Sequence, residues 1–355
     1  MLGGKVLPDP EKIGVSSDDL LKMYKAMVLT RVLDRYILRL QRMGKVALYA
    51  ESLGEEAVEV GVTQALQPRD VVFPTYRELG IYLTRGVPVA EILDRMTCTV
   101  DDPLKGHEFA IFGDKRFNIV PAPTPVSTQI PLAVGYAMAA KLKGEKMVVL
   151  TIFGDGATSK GDFHEGLNFA SVHKPPVVFV CRNNQYAIST HISKQTGSST
   201  IAQKAVAYGL EGVRVDGNDV LAVYLTTKAA VDRIREGAPP VLIEALTYRM
   251  GAHTTSDDPK RYRTEDETQS WAKLDPVSRM RDYLISKGVM DEEADSVLRS
   301  EVEREVAAEV EKVLQKSGPD PLVIFEDVYS DPPWTVLEQM EELKRMIGIQ
   351  RVVRR

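Results

Sequence analysis

The chain has 355 residues, of which 44% are hydrophobic and 27% charged, enough apolar material for a large folded core. Its 50 acidic residues outnumber its 45 basic ones, for a net charge of -5, which excludes a basic nucleic-acid surface. Two cysteines, Cys98 and Cys181, exclude a disulfide scaffold and cannot build a zinc site by themselves.

The start, MLGGKVLPDP, lacks a basic-plus-apolar leader, and no run approaches the length of a membrane span. A soluble, cytoplasmic protein is therefore expected, with neither membrane nor nucleic acid as partner. The segment 1–50 is read as helical. Its helix runs from about Ser17 to Met43, begins at Ser16-Ser17-Asp18-Asp19, stops at Gly44, and carries Leu21, Tyr24, Val28, Val32, Tyr36 and Leu40 at helical spacing.

Residues 55–250 alternate helical stretches with short apolar runs, the pattern of an α/β core with a doubly wound, mainly parallel sheet. Val71-Val72-Phe73 is a first strand, and Arg77 stands just beyond its end. Pro121-Ala122-Pro123-Thr124-Pro125 must be extended, since each proline disfavours helix in the residue before it. A helix follows over Ala133 to Leu142.

Met147 to Phe153 is continuously apolar, as expected of a strand buried on both faces, and it ends in Gly154-Asp155-Gly156. A helical stretch near Asp162 to His173 follows, with Phe163, Leu167, Phe169 and Ala170 as its inward face. Next come the apolar run Val177 to Cys181 and Asn183-Asn184-Gln185-Tyr186. Strand, crossover helix and strand form a right-handed unit that brings both loops to the same sheet edge. Asp155 and Asn184 can then meet around a divalent cation that prefers hard oxygen donors, with glycine backbone close to phosphate oxygens.

Gly-Asp-Gly alone is ordinarily a turn. Competing phosphate motifs fail, because the third glycine of a dinucleotide fingerprint comes late, at Gly161, and Asp162 stands where a P-loop needs lysine. His107, His164, His173 and His191 show no metal-ligand spacing, and no nucleophile elbow occurs.

The segment GDGATSKGDFHEGLNFASVHKPPVVFVCRNNQYAIST (Gly154 to Thr190) resembles the thiamine-diphosphate motif in the alpha subunit of the decarboxylating first component of 2-oxo acid dehydrogenase complexes. The similarity extends through Leu53-Gly54-Glu55-Glu56, Tyr76-Arg77, Thr128-Gln129-Ile130-Pro131, Arg214 to Asp219 and Ser256-Asp257-Asp258. It implies one thiamine-diphosphate-binding α/β domain over 1–355, with added N- and C-terminal helices.

By the same resemblance, Asp155 and Asn184 are side-chain Mg²⁺ ligands, and Tyr186 adds its backbone carbonyl. Tyr76 and Arg77 contact the diphosphate, while Arg182, Gly154, Gly156 and Ala157 line its pocket. In the proline loop, Thr124 lies beside the cofactor and Val126 under it, with K⁺ as a further candidate ion. His253 matches the active-site histidine, taken here as positioning the cofactor and its intermediates near the lipoyl entrance. From the residues alone it is a loop histidine whose titration near neutrality makes it a candidate.

The resemblance further implies oxidative decarboxylation of a 2-oxo acid and transfer of the acyl group to a lipoyl-bearing acyltransferase component. A beta subunit would supply the glutamate that activates the cofactor, in a complex of two alpha and two beta chains. Thr128 to Pro131 and Tyr186 to Thr190 look more like branched-chain members than pyruvate or acetoin members. A split transketolase-like enzyme or a catalytically silent subunit is the more distant alternative. Beyond Asp258 the sequence turns charged and helix-forming, giving a C-terminal helical extension over 265–355 with helices at Asp291 to Lys316 and Trp334 to Met346. Arg351, Arg354 and Arg355 are too few for a nucleic-acid patch.

Overall fold

The computed structural model describes residues 14–107, 113–121 and 123–353. Residues 1–10, read for a leader, Ala122 of the proline run, and Arg354 and Arg355 lie outside the described residues. Helix α1 (Ser17–Arg42) opens with the expected capping box, in which the Ser16 hydroxyl accepts from the Asp19 N–H and the Asp19 carboxylate reaches back to the Ser16 backbone.

Helix α1 buries a wider face than its apolar stripe suggested. Leu33 and Ile37 are fully covered, whereas Leu21 and Tyr36 are only half-buried. The reason is the number of partners. Besides α2 (Glu56–Gln64) and α3 (Leu79–Thr84), the helix meets α4 (Val89–Thr97) and two helices from the far end of the chain, α9 (Pro276–Ser286) and α10 (Glu292–Leu314). Met23, Met27, Ile92, Leu93, Met280, Val302 and Val306 share one core, so the helices from both ends of the chain pack as one layer.

Among the described residues the main sheet has five strands, all parallel: β1 (Val71–Phe73), β2 (Val149–Gly154), β3 (Val177–Asn183), β6 (Glu211–Asp216) and β7 (Val241–Leu246). A two-stranded hairpin, β4 (Tyr186–Ala187) and β5 (Thr190–His191), follows β3 directly. Strand order is β1-β2-β3-β7-β6. The chain thus crosses the sheet in one direction from β1 to β3 and turns back between β6 and β7. Crossovers of constant right hand must change face when the direction reverses. Accordingly α5 (Gln129–Leu142) and α6 (Gly161–His173) cover one face, while α7 (Val220–Arg235) and α2 cover the other. The doubly wound parallel sheet expected from the sequence is what forms.

Strands β2, β3 and β7 are buried on both faces, as their mainly apolar runs require, with Glu244 of β7 accepting from the Asn183 amide and the Ala202 N–H. No such run announces β6, an edge strand that leaves Glu211 and Gly212 exposed. In α6, Phe163, Gly166, Leu167 and Ala170 face inward. Phe169 does not; it is 55% exposed, because it stands two residues beyond Leu167 and so roughly half a turn around the helix.

Beyond the sheet come α8 (Glu265–Ala272), α9, α10 and α11 (Trp334–Val353). Helix α10 buries Val302, Val306, Val310 and Val313 and turns most of its charges outward, the buried Asp295 excepted, while α11 packs chiefly on the short turn Pro321–Phe325. Among the described residues, no helix is long and apolar enough to cross a membrane.

Candidate active site

Loops from the carboxyl ends of β1, β2, β3 and β7 converge on a cavity of about 600 Å³, where a doubly wound sheet characteristically binds ligands. Every residue expected at the site lines this cavity: Tyr76 and Arg77 after β1, Thr124 and Val126 before α5, Gly154 to Ala157 after β2, Arg182 at the end of β3, Asn184 and Tyr186 beyond it, and His253 after β7. Its lining carries the cations Arg77, Lys160, Arg182 and Arg249 and the carboxylate of Asp155, while the wholly buried Glu55 and Glu78 pair with Arg182 from behind.

Asp155 is 1% exposed. Its Oδ2 accepts a 2.7 Å hydrogen bond from Gln195 Nε2, whereas its Oδ1 is buried without a partner. Burial, helped by the negative charge of Glu55, pushes its carboxyl above the ordinary range, an arrangement that a cation would reverse. Asn184 is equally enclosed, and its amide N–H donates to Glu55 Oε2 at 3.1 Å, which leaves its oxygen to face away from Glu55. That oxygen accepts a 3.3 Å bond from the Tyr186 backbone.

The Tyr186 carbonyl accepts a 3.1 Å hydrogen bond from Arg249, leaving its second lone pair for a ligand. One carboxylate, one amide oxygen and one carbonyl suit a hard cation completed by phosphate oxygens. Among the described residues, no group of three or more His, Cys, Asp or Glu side chains could hold a metal.

Between β2 and α6 the chain makes a 3-10 turn, Asp155–Ser159, and α6 begins at Gly161, in keeping with the helical stretch expected near Asp162 to His173. Gly156 does allow a close approach, but of protein: a Cβ there would come within 2.7 Å of the Ala187 Cβ. The β4–β5 hairpin can fold back over Asp155 only because that side chain is missing.

Arg77 is 2% exposed and already engaged. Its Nη1 donates to the Glu51 carbonyl at 2.8 Å, and its Nη2 to the His253 carbonyl at 2.7 Å, with His253 Nδ1 3.1 Å away. A guanidinium can only donate, so Nδ1 accepts and a neutral His253 carries its proton on Nε2. The Tyr76 ring meets the imidazole edge-on at 6.1 Å.

Burial, then Arg77 and Arg249, push the His253 pKa from 6.5 down to about 3. The expectation that this ring titrates near neutrality is thus corrected: in the free chain it is a neutral hydrogen-bonding group. Asp257 fixes its backbone, accepting from the His253 N–H at 2.7 Å and from Tyr262 Oη at 2.6 Å.

Four contributors carried no signal of their own in the sequence. Glu55 is wholly buried and joins Arg182, Asn184 and Arg77 from behind the cavity. Arg249, 1% exposed, pins the hairpin through the Tyr186 and Ile188 carbonyls. Gln195 grips Asp155, and Lys160 stands exposed at the cavity wall. The similarity segments contained Glu55 and Lys160, and Arg249 lies three residues beyond β7. Nothing in the polar stretch around Gln195 marked it.

Comparison with known proteins bears on the whole chain. Residues 24–322 match the family model described as dehydrogenase E1 component. The mouse protein named 2-oxoisovalerate dehydrogenase subunit alpha, mitochondrial, is 40% identical over 344 residues, covering 96% of this chain and 78% of that protein. An Arabidopsis thaliana protein named 2-oxoisovalerate dehydrogenase subunit alpha 1, mitochondrial, is 41% identical over 350 residues, 98% of this chain and 74% of its own length. The Acholeplasma laidlawii protein named pyruvate dehydrogenase E1 component subunit alpha is 41% identical over 346 residues, covering 97% of this chain and 98% of that protein.

Proposed function

The chain belongs to the dehydrogenase E1 component family, and from that premise we propose that it is the alpha subunit of a 2-oxo acid dehydrogenase acting on branched-chain substrates. In this reading it binds thiamine diphosphate with Mg²⁺ and works with a beta subunit, as two alpha and two beta chains, and with a lipoyl-bearing acyltransferase component. The observation that carries it is the buried, unpartnered Asp155 Oδ1 beside Asn184, in a cavity with cationic walls.

Asp155 Oδ1, the Asn184 amide oxygen and the Tyr186 carbonyl would hold the ion, and Arg182, with the backbone at Gly156 and Ala157, the diphosphate. When bound, the thiazolium ring supplies a nucleophilic carbon and an acceptor for the electrons released as CO₂ leaves. The protein's part is to bind, orient and exclude water. Val126 offers an apolar support in the cavity wall, and His253, neutral and clamped by Arg77, offers an Nε2–H donor for orienting the bound substrate and the lipoyl group. Leu48, Ala50 and Ile188 add an apolar lining suited to an aliphatic substrate side chain.

K⁺ stays a further candidate ion of the proline loop, since the Thr128 hydroxyl donates to Asp162 and the Gln129 amide N–H to the Ile152 carbonyl, bonds that leave both side-chain oxygens as acceptors. Both cysteines are free, in keeping with a reducing compartment such as the cytoplasm. A pyruvate substrate is the second reading, favoured by the Acholeplasma laidlawii relative.

The test is to assemble the chain with its beta subunit, thiamine diphosphate and Mg²⁺ and follow dye reduction over a panel of 2-oxo acids. Branched-chain acids should lead; preference for pyruvate would select the second reading, and carbon transfer between sugars without 2-oxo acid oxidation would overturn both. Asp155→Ala should abolish metal-dependent cofactor binding.

A further inference from the structure

The two oxygens of Asp155 are inequivalent, and one side chain makes them so. Gln195 lies just past the β4–β5 hairpin, at the end of the 3-10 turn Ile192–Lys194. Its Nε2 donates both to Asp155 Oδ2, at 2.7 Å, and to the Thr190 carbonyl, at 2.9 Å. With both N–H groups committed to oxygens, the amide cannot be turned around without setting oxygen against oxygen. Asp155 is thereby held with Oδ2 occupied and Oδ1 bare.

The same amide leaves a second mark. Gln195 Oε1 is itself buried and without a partner, so two orphaned oxygens, on Asp155 and on Gln195, lie within one hydrogen-bonded pair. Buried polar atoms are almost always satisfied, and a pair of orphans points to something that binds between or beside them. Both are acceptors, which suits a cation together with the protons of water in its shell; Mg²⁺ typically keeps several such waters. The hairpin that delivers Gln195 also delivers Tyr186, and it packs onto Gly156 through Ala187. One structural unit therefore presents a ligand and orients another.

Building on the reading of this cavity as a magnesium–diphosphate site, we propose that Gln195 is a positioning residue of the metal centre. Its Nε2 turns Asp155 so that Oδ1 alone meets the ion, and its Oε1 accepts from a water in the ion's shell. It touches neither substrate nor reacting atoms; its effect runs through Asp155.

The experiment is an electron paramagnetic resonance titration of Mn²⁺, standing in for Mg²⁺, against the full chain assembled with its beta subunit and saturated with thiamine diphosphate. Gln195→Met keeps the volume and loses the donor, whereas Gln195→Ala loses both. Both variants should bind Mn²⁺ roughly 10 to 100 times more weakly, the usual effect of removing an outer partner of a metal ligand. Thermal melting of the metal-free protein should change little for Gln195→Met.

Near-native Mn²⁺ affinity in Gln195→Met would overturn the proposal by showing that the side chain only fills space. A loss of affinity matched by an equal loss of metal-free stability would overturn it too. Asp155→Ala is the control. If Asp155→Ala binds Mn²⁺ normally, the reading of the whole site fails; if it does not bind while both Gln195 variants bind as wild type, only the role of Gln195 fails.

Discussion

At His253, burial and two neighbouring guanidinium groups act in the same direction, and pH dependence follows from that. The unfolded chain takes up a proton near pH 6.5, but the folded chain does not until about pH 3. Between those values the unfolded state binds more protons, so stability falls as the free chain is acidified through this window. Urea midpoints measured from about pH 7 down to about pH 4 should decline, and His253→Gln should make that decline shallower. An equal slope in the variant would show that the imidazole is not held neutral. An anionic diphosphate beside Arg77 would offset part of the guanidinium charge and raise the histidine's pKa, so the cofactor-loaded protein should show a narrower window.

Among the elements, α1 contributes more than core packing. Asp34, buried on that helix, accepts from Tyr49 Oη at 2.5 Å and from the Ser52 N–H at 3.1 Å. Ser52 Oγ donates to the Arg77 carbonyl at 2.6 Å, and Arg77 holds His253. A ladder of hydrogen bonds thus runs from the helical layer to the cavity. Asp34→Ala, which strands the Tyr49 hydroxyl and the Ser52 N–H, should cost about 1 to 3 kcal/mol by urea denaturation, whereas Asp34→Asn, which keeps an acceptor oxygen, should cost less. Equal losses in the two variants would refute the ladder.

Elements that follow one local rule could be read from the sequence. The apolar runs predicted β2 and β3 because strands buried on both faces leave little choice of residue. Strand β6 escaped because an edge strand tolerates charge. The proposed ligands Asp155 and Asn184 stood out through glycine and asparagine patterns at strand ends. Gln195 did not, since its bond to Asp155 spans 40 residues of sequence and exists only once the hairpin has folded back.

Taken as a whole, the molecule is tied together unevenly. Helix α11 exposes Trp334, Leu337 and Met346, keeps Val336, Met340, Leu343 and Ile347 half-buried, and leans chiefly on one short turn. Ending the chain after Asp331 should therefore leave the stability of the free chain, measured by urea denaturation, within about 0.5 kcal/mol of its original value. A larger loss would reveal support for the core that the fold does not display. The cavity is the opposite case, because the contact between Arg77 and His253 joins residues 176 positions apart. No fragment of the sheet can bring those loops together, so a ligand seated there favours the completely folded chain alone and adds to its stability by mass action. Scarcity of the vitamin precursor would then thin the population of this polypeptide itself, exposing idle copies to chaperones and proteases before any shortfall in catalysis is counted.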